Sequence, residues 1–117
     1  HVMHPSRERV MNNANRAKFV DTVIDLMLSR MSKKGAARSR IKAKIFGGAR
    51  MFGHVTRSRG VIQIGQANVE AARRELAERN IPIVADATGG SKGRTLLFEL
   101  SDGSVRTKDA GGNEEIY

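Results

Sequence analysis

Between Val20 and Met31 the apolar residues Val20, Val23, Ile24, Met27, Leu28 and Met31 recur at i, i+3, i+4, i+7, i+8 and i+11. From Ile41 the period changes, and Ile41, Ala43 and Ile45 alternate with Lys42 and Lys44. The first spacing buries one side of a helix and the second buries one face of a strand, so neither segment suits the other's structure. The stripe predicts an amphipathic helix of about four turns with Met27 and Met31 turned to the core. Lys33 and Lys34 in its last turn complement the negative end of the helix dipole, and Gly35 supplies the left-handed stop. The lysine face of the strand argues against a sheet covered by helices on both sides.

The rest of the chain reads as shorter elements. A second helix is predicted over 67–79, with Val69, Ala72 and Leu76 on one face and Asn80 and Pro82 ending it. Ile83–Ala87 reads as a short apolar strand and Thr88–Ser91 as a turn. Arg94–Leu100 reads as a strand with Leu96, Phe98 and Leu100 on one face, and Asp102-Gly103 predicts a hairpin into a strand over 104–108. His1–Pro5 reads as a strand end stopped by proline. Asn12, Asn13 and Asn15 follow it as candidate helix caps, and Arg50–Gly60 reads as a loop. Residues 110–117 read as a polar, frayed tail beyond a domain over 1–109. The order strand, helix, strand, helix and three strands predicts an α+β fold, a layered α/β/β sandwich with two helices on a mixed sheet.

A chain of 117 residues fits a single domain with one core. It has no cysteine, which excludes a disulfide scaffold, a thiolate metal site and a thiol nucleophile within these residues. No apolar run approaches the ~18 residues of a membrane span, so membrane insertion is not expected. Charge is uneven: 14 basic and 3 acidic residues between His1 and Gly60 give +11, whereas 7 basic and 9 acidic residues from Val61 onward give −2. Such asymmetry suits an anionic partner. Aromatic residues make up only 4% and tryptophan is absent, which disfavours stacking on single-stranded nucleic acid.

Few side chains stand out as chemistry on their own. His1 and His4 are three apart, point to opposite faces of a strand, and have only His54 as a further histidine, so no metal site is expected. Gly47-Gly48 and Gly89-Gly90 each follow a strand, where glycine lets the backbone turn sharply or lie close to a ligand. Neither pair has the spacing of a phosphate loop, and tight turns alone are the simpler reading. Phe52, the one large apolar side chain of a basic loop, is either a partner anchor or a buried plug beneath that loop.

Taken in order, the motifs resemble one family. Ala43-Lys44-Ile45-Phe46-Gly47-Gly48-Ala49-Arg50-Met51-Phe52 resembles the A-K-[IV]-[FA]-G-G-A-x-M-F stretch of CheD proteins, the chemoreceptor glutamine deamidases of chemotaxis. His1-Val2-Met3-His4-Pro5 is similar to their H-[FV]-M-L-P segment, and Ile64-Gly65-Gln66-Ala67-Asn68-Val69 to their I-G-x-R-N-[VF] motif. Gly89-Gly90 followed by Arg94 resembles their G-G-x-x-[GA]-R hairpin start. The resemblance implies an α/β/β sandwich and a cytoplasmic hydrolase without cofactor that converts receptor glutamines to glutamate and ammonia. In that reaction a cysteine thiolate attacks the amide while a histidine activates the thiol and protonates the departing ammonia. His1 matches the family's catalytic histidine. The cysteine and an assisting threonine precede that histidine in the family and are not in this sequence. The resemblance therefore implies a domain missing its first strands and inactive as it stands.

The departures from the family pattern are His4 where leucine is common, Ala67 where arginine is common, and Ala87 where an acidic residue is frequent. Gly47, Gly48, Phe52, Gly89 and Gly90 become candidate substrate or partner contacts, chemoreceptor helices the expected partner, and a CheC-type phosphatase a second. Two other readings stand beside this one. The first is an adaptor that binds receptor or phosphatase without chemistry. The second is a basic nucleic-acid-binding domain, which requires Arg38, Arg40, Lys42 and Lys44 on one continuous exposed surface. Receptor helices being acidic, reversing the charge of Arg57 and Arg59 is expected to weaken receptor binding and flatten its salt dependence. Titrations at several ionic strengths check this, and an unchanged salt slope refutes it.

Overall fold

The computed structural model describes residues 1–7, 15–49 and 64–117. The predicted first helix forms as α1 (Val20–Lys33). Its entry is set by Phe19, in extended backbone and 1% exposed, while the Val20 N–H donates to the His4 carbonyl at 3.1 Å. Its exit follows the glycine signal: Gly35 at φ +88° donates to Ser32 O at 2.9 Å and Ala36 N–H to Met31 O at 3.0 Å, which satisfies the last carbonyls. Asn15 caps a short 3-10 turn over Arg16–Lys18, its side-chain oxygen accepting from the Ala17 N–H at 3.0 Å. Asn12, Asn13 and the loop over 50–60 lie outside the described residues.

The alternating strand forms as β1 (Ala43–Gly47). It pairs in parallel with β2 (Ile83–Thr88), and α2 (Ile64–Glu78) is the helix between them in sequence. The hairpin predicted at Asp102-Gly103 joins β3 (Arg94–Phe98) to β4 (Val105–Asp109), with Phe98 opposite Val105. The architecture is α+β, as expected, but the strands make two sheets rather than one mixed sheet: β1-β2 and β3-β4-β5. The third strand of the second sheet, β5 (Glu114–Ile116), falls within the stretch read as a tail. Its turn is built by Asp109, whose carboxylate accepts from the Gly111 and Asn113 N–H groups at 2.7 and 3.0 Å and returns the chain alongside β4. His1–Pro5 contributes only one bridge, His4 to Phe19, in place of the predicted strand end.

Three residues reverse roles assigned by pattern. Lys44 was expected on a solvated face, yet it is half-buried, and its Nζ donates to the Gly103 and Tyr117 carbonyls at 2.6 and 2.9 Å. Two residues along the same face, Phe46 meets the Tyr117 ring edge-on at 5.3 Å. This face of β1 thus looks at the second sheet, while α2 packs against β1 and β2. Lys44 is consumed within the fold, so the continuous basic surface required for nucleic-acid binding does not form. Met27 and Met31, expected in the core, are 54% and 37% exposed. The tie between α1 and α2 instead runs through polar groups farther round the helix.

That tie centres on Arg79, whose side chain is 16% exposed. Its guanidinium donates to both oxygens of Asp25 at 2.7 and 2.9 Å and to Glu75 Oε2 and Glu75 O at 2.8 Å. These hydrogen bonds hold the Asp25 carboxyl below its usual range. Among the described residues the buried apolar side chains are Phe19, Val20, Ala71, Leu76, Ile81 and Val105. Replacing Arg79 by methionine strips Asp25 of its guanidinium and leaves the buried Glu75 with only the Arg74 contact at 3.2 Å, and is expected to cost about 1–3 kcal/mol of stability at neutral pH. Asp25 has a depressed folded pKa. Its contribution is therefore present above the unfolded value near 3.8 and lost as pH falls through the folded one. Urea unfolding at pH 7 and below pH 4 should show a smaller Arg79→Met effect in acid.

Candidate functional site

Parallel pairing places the carboxyl ends of β1 and β2 side by side, with Gly47 opposite Thr88. Each strand ends in a diglycine bend, and the Gly89 N–H donates to the Gly47 carbonyl at 2.7 Å, joining the two bends. All four glycines are left-handed: φ is +100° at Gly47, +68° at Gly48, +82° at Gly89 and +78° at Gly90. The structure thus gathers Gly47, Gly48, Gly89 and Gly90 from two separate motifs into one place. Ligand sites of parallel sheets form beyond the carboxyl ends of their strands, where these bends lie.

The absence of side chains here is required at Gly48. A Cβ at that position would stand 2.5 Å from Val69 Cγ2 and 3.1 Å from the Gly65 carbonyl oxygen. The reverse holds at Gly65, whose added Cβ would meet the Gly48 backbone at 3.1 Å. α2 already includes Ile64, Gly65 and Gln66, upstream of the predicted Ala67. A glycine inside a helix is unfavourable by itself, but here it admits close approach of another backbone.

Charged side chains brace the second bend from two sides. Arg94, at the start of β3, donates to the Ala87 carbonyl and to the Gly89 carbonyl, the latter at 3.2 Å. From α2, Arg73 donates to Asp86 Oδ2 through Nε and Nη2 at 3.0 and 2.7 Å and to Thr88 Oγ1 at 3.1 Å. The Thr88 hydroxyl in turn donates to Asp86 Oδ1 at 2.7 Å. That hydroxyl, and then Arg73, hold the Asp86 carboxyl below its usual range. The sequence motif holds Thr88 and Arg94, whereas Arg73 and Asp86 carry no signal in it. A fork of guanidinium donors four residues past a diglycine turn is the sequence signal for Arg94.

His1 is solvent-exposed, and its segment is held to the start of α1, with the Met3 and His4 N–H groups donating to Lys18 O at 2.8 and 3.1 Å. His4 stacks on Phe19 with ring centroids 5.5 Å apart. Phe52 lies outside the described residues. At the opposite end of α2 from the bends, a groove of about 290 Å³ opens between Asp25, Ser32 and Arg38. Among the described residues no helix is long and apolar enough to cross a membrane.

A clash is expected to separate the bend positions. Gly48→Ala meets both a left-handed backbone and the Val69 and Gly65 contacts, and should cost about 2–3 kcal/mol. Gly89→Ala has nothing within 4 Å of its new Cβ. It should lose only the backbone part, about 1–2 kcal/mol. Chemical denaturation of the two variants checks the order.

Comparison with known proteins gives a consistent set of matches. The family described as CheD chemotactic sensory transduction matches residues 3–109. A Thermococcus kodakarensis protein named "Probable chemoreceptor glutamine deamidase CheD" is 40% identical over 116 residues, covering 99% of this chain and 71% of the relative. A Clostridium tetani protein of the same name is 45% identical over 117 residues, covering 99% and 70%. A third, from Pyrococcus abyssi, is 40% identical over 116 residues, covering 99% and 70%.

Proposed function

This chain belongs to the CheD family, and on that premise we propose that it serves as a deamidase of chemoreceptor glutamines, hydrolysing the side-chain amide to glutamate and ammonia in the cytoplasm. What supports the reading most is the joining of two separate family motifs, Gly47-Gly48 and Gly89-Gly90, by one 2.7 Å backbone hydrogen bond. Bends without side chains leave room for a receptor helix to bring a glutamine close to the main chain. In this reading the chemistry is of the Cys-His type. A thiolate attacks the amide carbon, the tetrahedral intermediate expels ammonia with a proton from the histidine, and water attacks the resulting thioester to release the carboxylate and the thiol. His1 is the histidine.

No cysteine occurs in the 117 residues, so the thiol in this mechanism comes from outside them. For the 117 residues taken alone, that same absence favours the adaptor reading, in which they bind receptor or a CheC-type phosphatase without chemistry. Both readings use the same surface, with the basic first half of the chain drawing in acidic receptor helices.

The two are separated by incubating the full product of the gene with a chemoreceptor cytoplasmic fragment and following conversion of glutamine to glutamate by mass spectrometry. Conversion is expected, and substitution of His1 by alanine should slow it by about 10²–10⁴-fold, the usual contribution of a positioned acid-base group. Binding without conversion supports the adaptor; an unchanged rate in the His1→Ala variant removes His1 from the mechanism.

A further inference from the structure

Among the described residues, two buried side-chain oxygens have no hydrogen-bond partner: Asp21 Oδ1 and Asn68 Oδ1. The other oxygen of Asp21 accepts from the Arg7 N–H at 2.9 Å, beside the start of α1. Asn68 has a different setting. It lies within the first turns of α2, in the same helical turn as Gly65 and Val69, the two residues that touch Gly48. A buried acceptor without a donor is costly and uncommon, and where one persists a donor from a ligand is a physical explanation for it.

We propose that Asn68 is a specificity-determining residue that reads the amide of the substrate, a glutamine N–H donating to its Oδ1; this rests on the deamidase reading above. The chemistry is selective. A primary carboxamide brings two N–H donors, so it fills the empty acceptor. The carboxylate of the product brings none and sets its negative charge against the dipole of the Asn68 oxygen. One neutral residue thus favours the amide over the acid, binding substrate and easing release of product. Sites built to hydrogen-bond a substrate group discriminate strongly against an analogue that lacks it, because their own polar atom is then left unpaired.

The test titrates the 117-residue chain with two synthetic chemoreceptor-helix peptides, identical except for glutamine or glutamate at one position, by calorimetry. The wild-type chain is expected to favour the glutamine peptide about tenfold. Asn68→Leu should bring that ratio close to one. Asn68→Asp, which keeps an acceptor and adds repulsion toward glutamate, should hold or enlarge it and serves if the leucine variant does not fold. Purely structural roles for Asn68 would change the melting temperature of the variants and leave the ratio alone, and that result overturns the proposal. A wild-type chain that binds both peptides equally also overturns it while leaving the deamidase reading in place. Binding of neither peptide overturns this inference, and the conversion assay on the full product of the gene then decides the deamidase reading separately.

Discussion

A strand end can press against the main chain of a helix only where neither carries a side chain, and Gly48 against Gly65 is such a meeting. The arrangement of the candidate site depends on that contact. It brings the first turns of α2 against the end of β1 and carries Asn68 with them. The bond from Gly89 to Gly47 then adds the end of β2. Larger side chains at either glycine would push the helix away from the bend, and the two diglycine motifs would no longer share a face with it.

Polar ties connect the remaining layers. Lys44 crosses from β1 to the second sheet by saturating two carbonyls, and Arg94 crosses back from β3 to the bend after β2. Arg79 joins the two helices through Asp25 and Glu75. In the second sheet Leu97 and Phe98 are more than half exposed, as is Leu100 just beyond it. Cations with several directed donors thus help to fix how the described elements sit together.

Periodicity made α1 and β1 legible because each presents one apolar side to a neighbour, and Asp102-Gly103 announced its hairpin by local turn chemistry. The same reasoning misplaced Lys44, since an ammonium on an alternating strand reads as solvated unless carbonyls from a distant turn are known to await it. It missed β5, whose few residues carry too weak a pattern and whose turn depends on the Asp109 carboxylate. Met27 and Met31 fit a core stripe by spacing, yet spacing cannot tell which part of a stripe a partner element covers. In the candidate site the glycine pairs were visible as motifs. Their union was not, because it comes from parallel pairing across a long connection. Nor does sequence reveal Asn68 as a residue with an unfilled acceptor, which is a matter of three-dimensional surroundings.

The parallel ladder between β1 and β2 also bears on when the site comes into existence. Antiparallel strands such as β3 and β4 close across a short turn, and helices form from neighbours in sequence, but β1 meets β2 only after all the chain between them, α2 included, has been gathered in. Until that closure, each diglycine segment is an ordinary flexible stretch of chain. The candidate site is therefore a property of the finished fold and of none of its parts, so no half-made chain presents it.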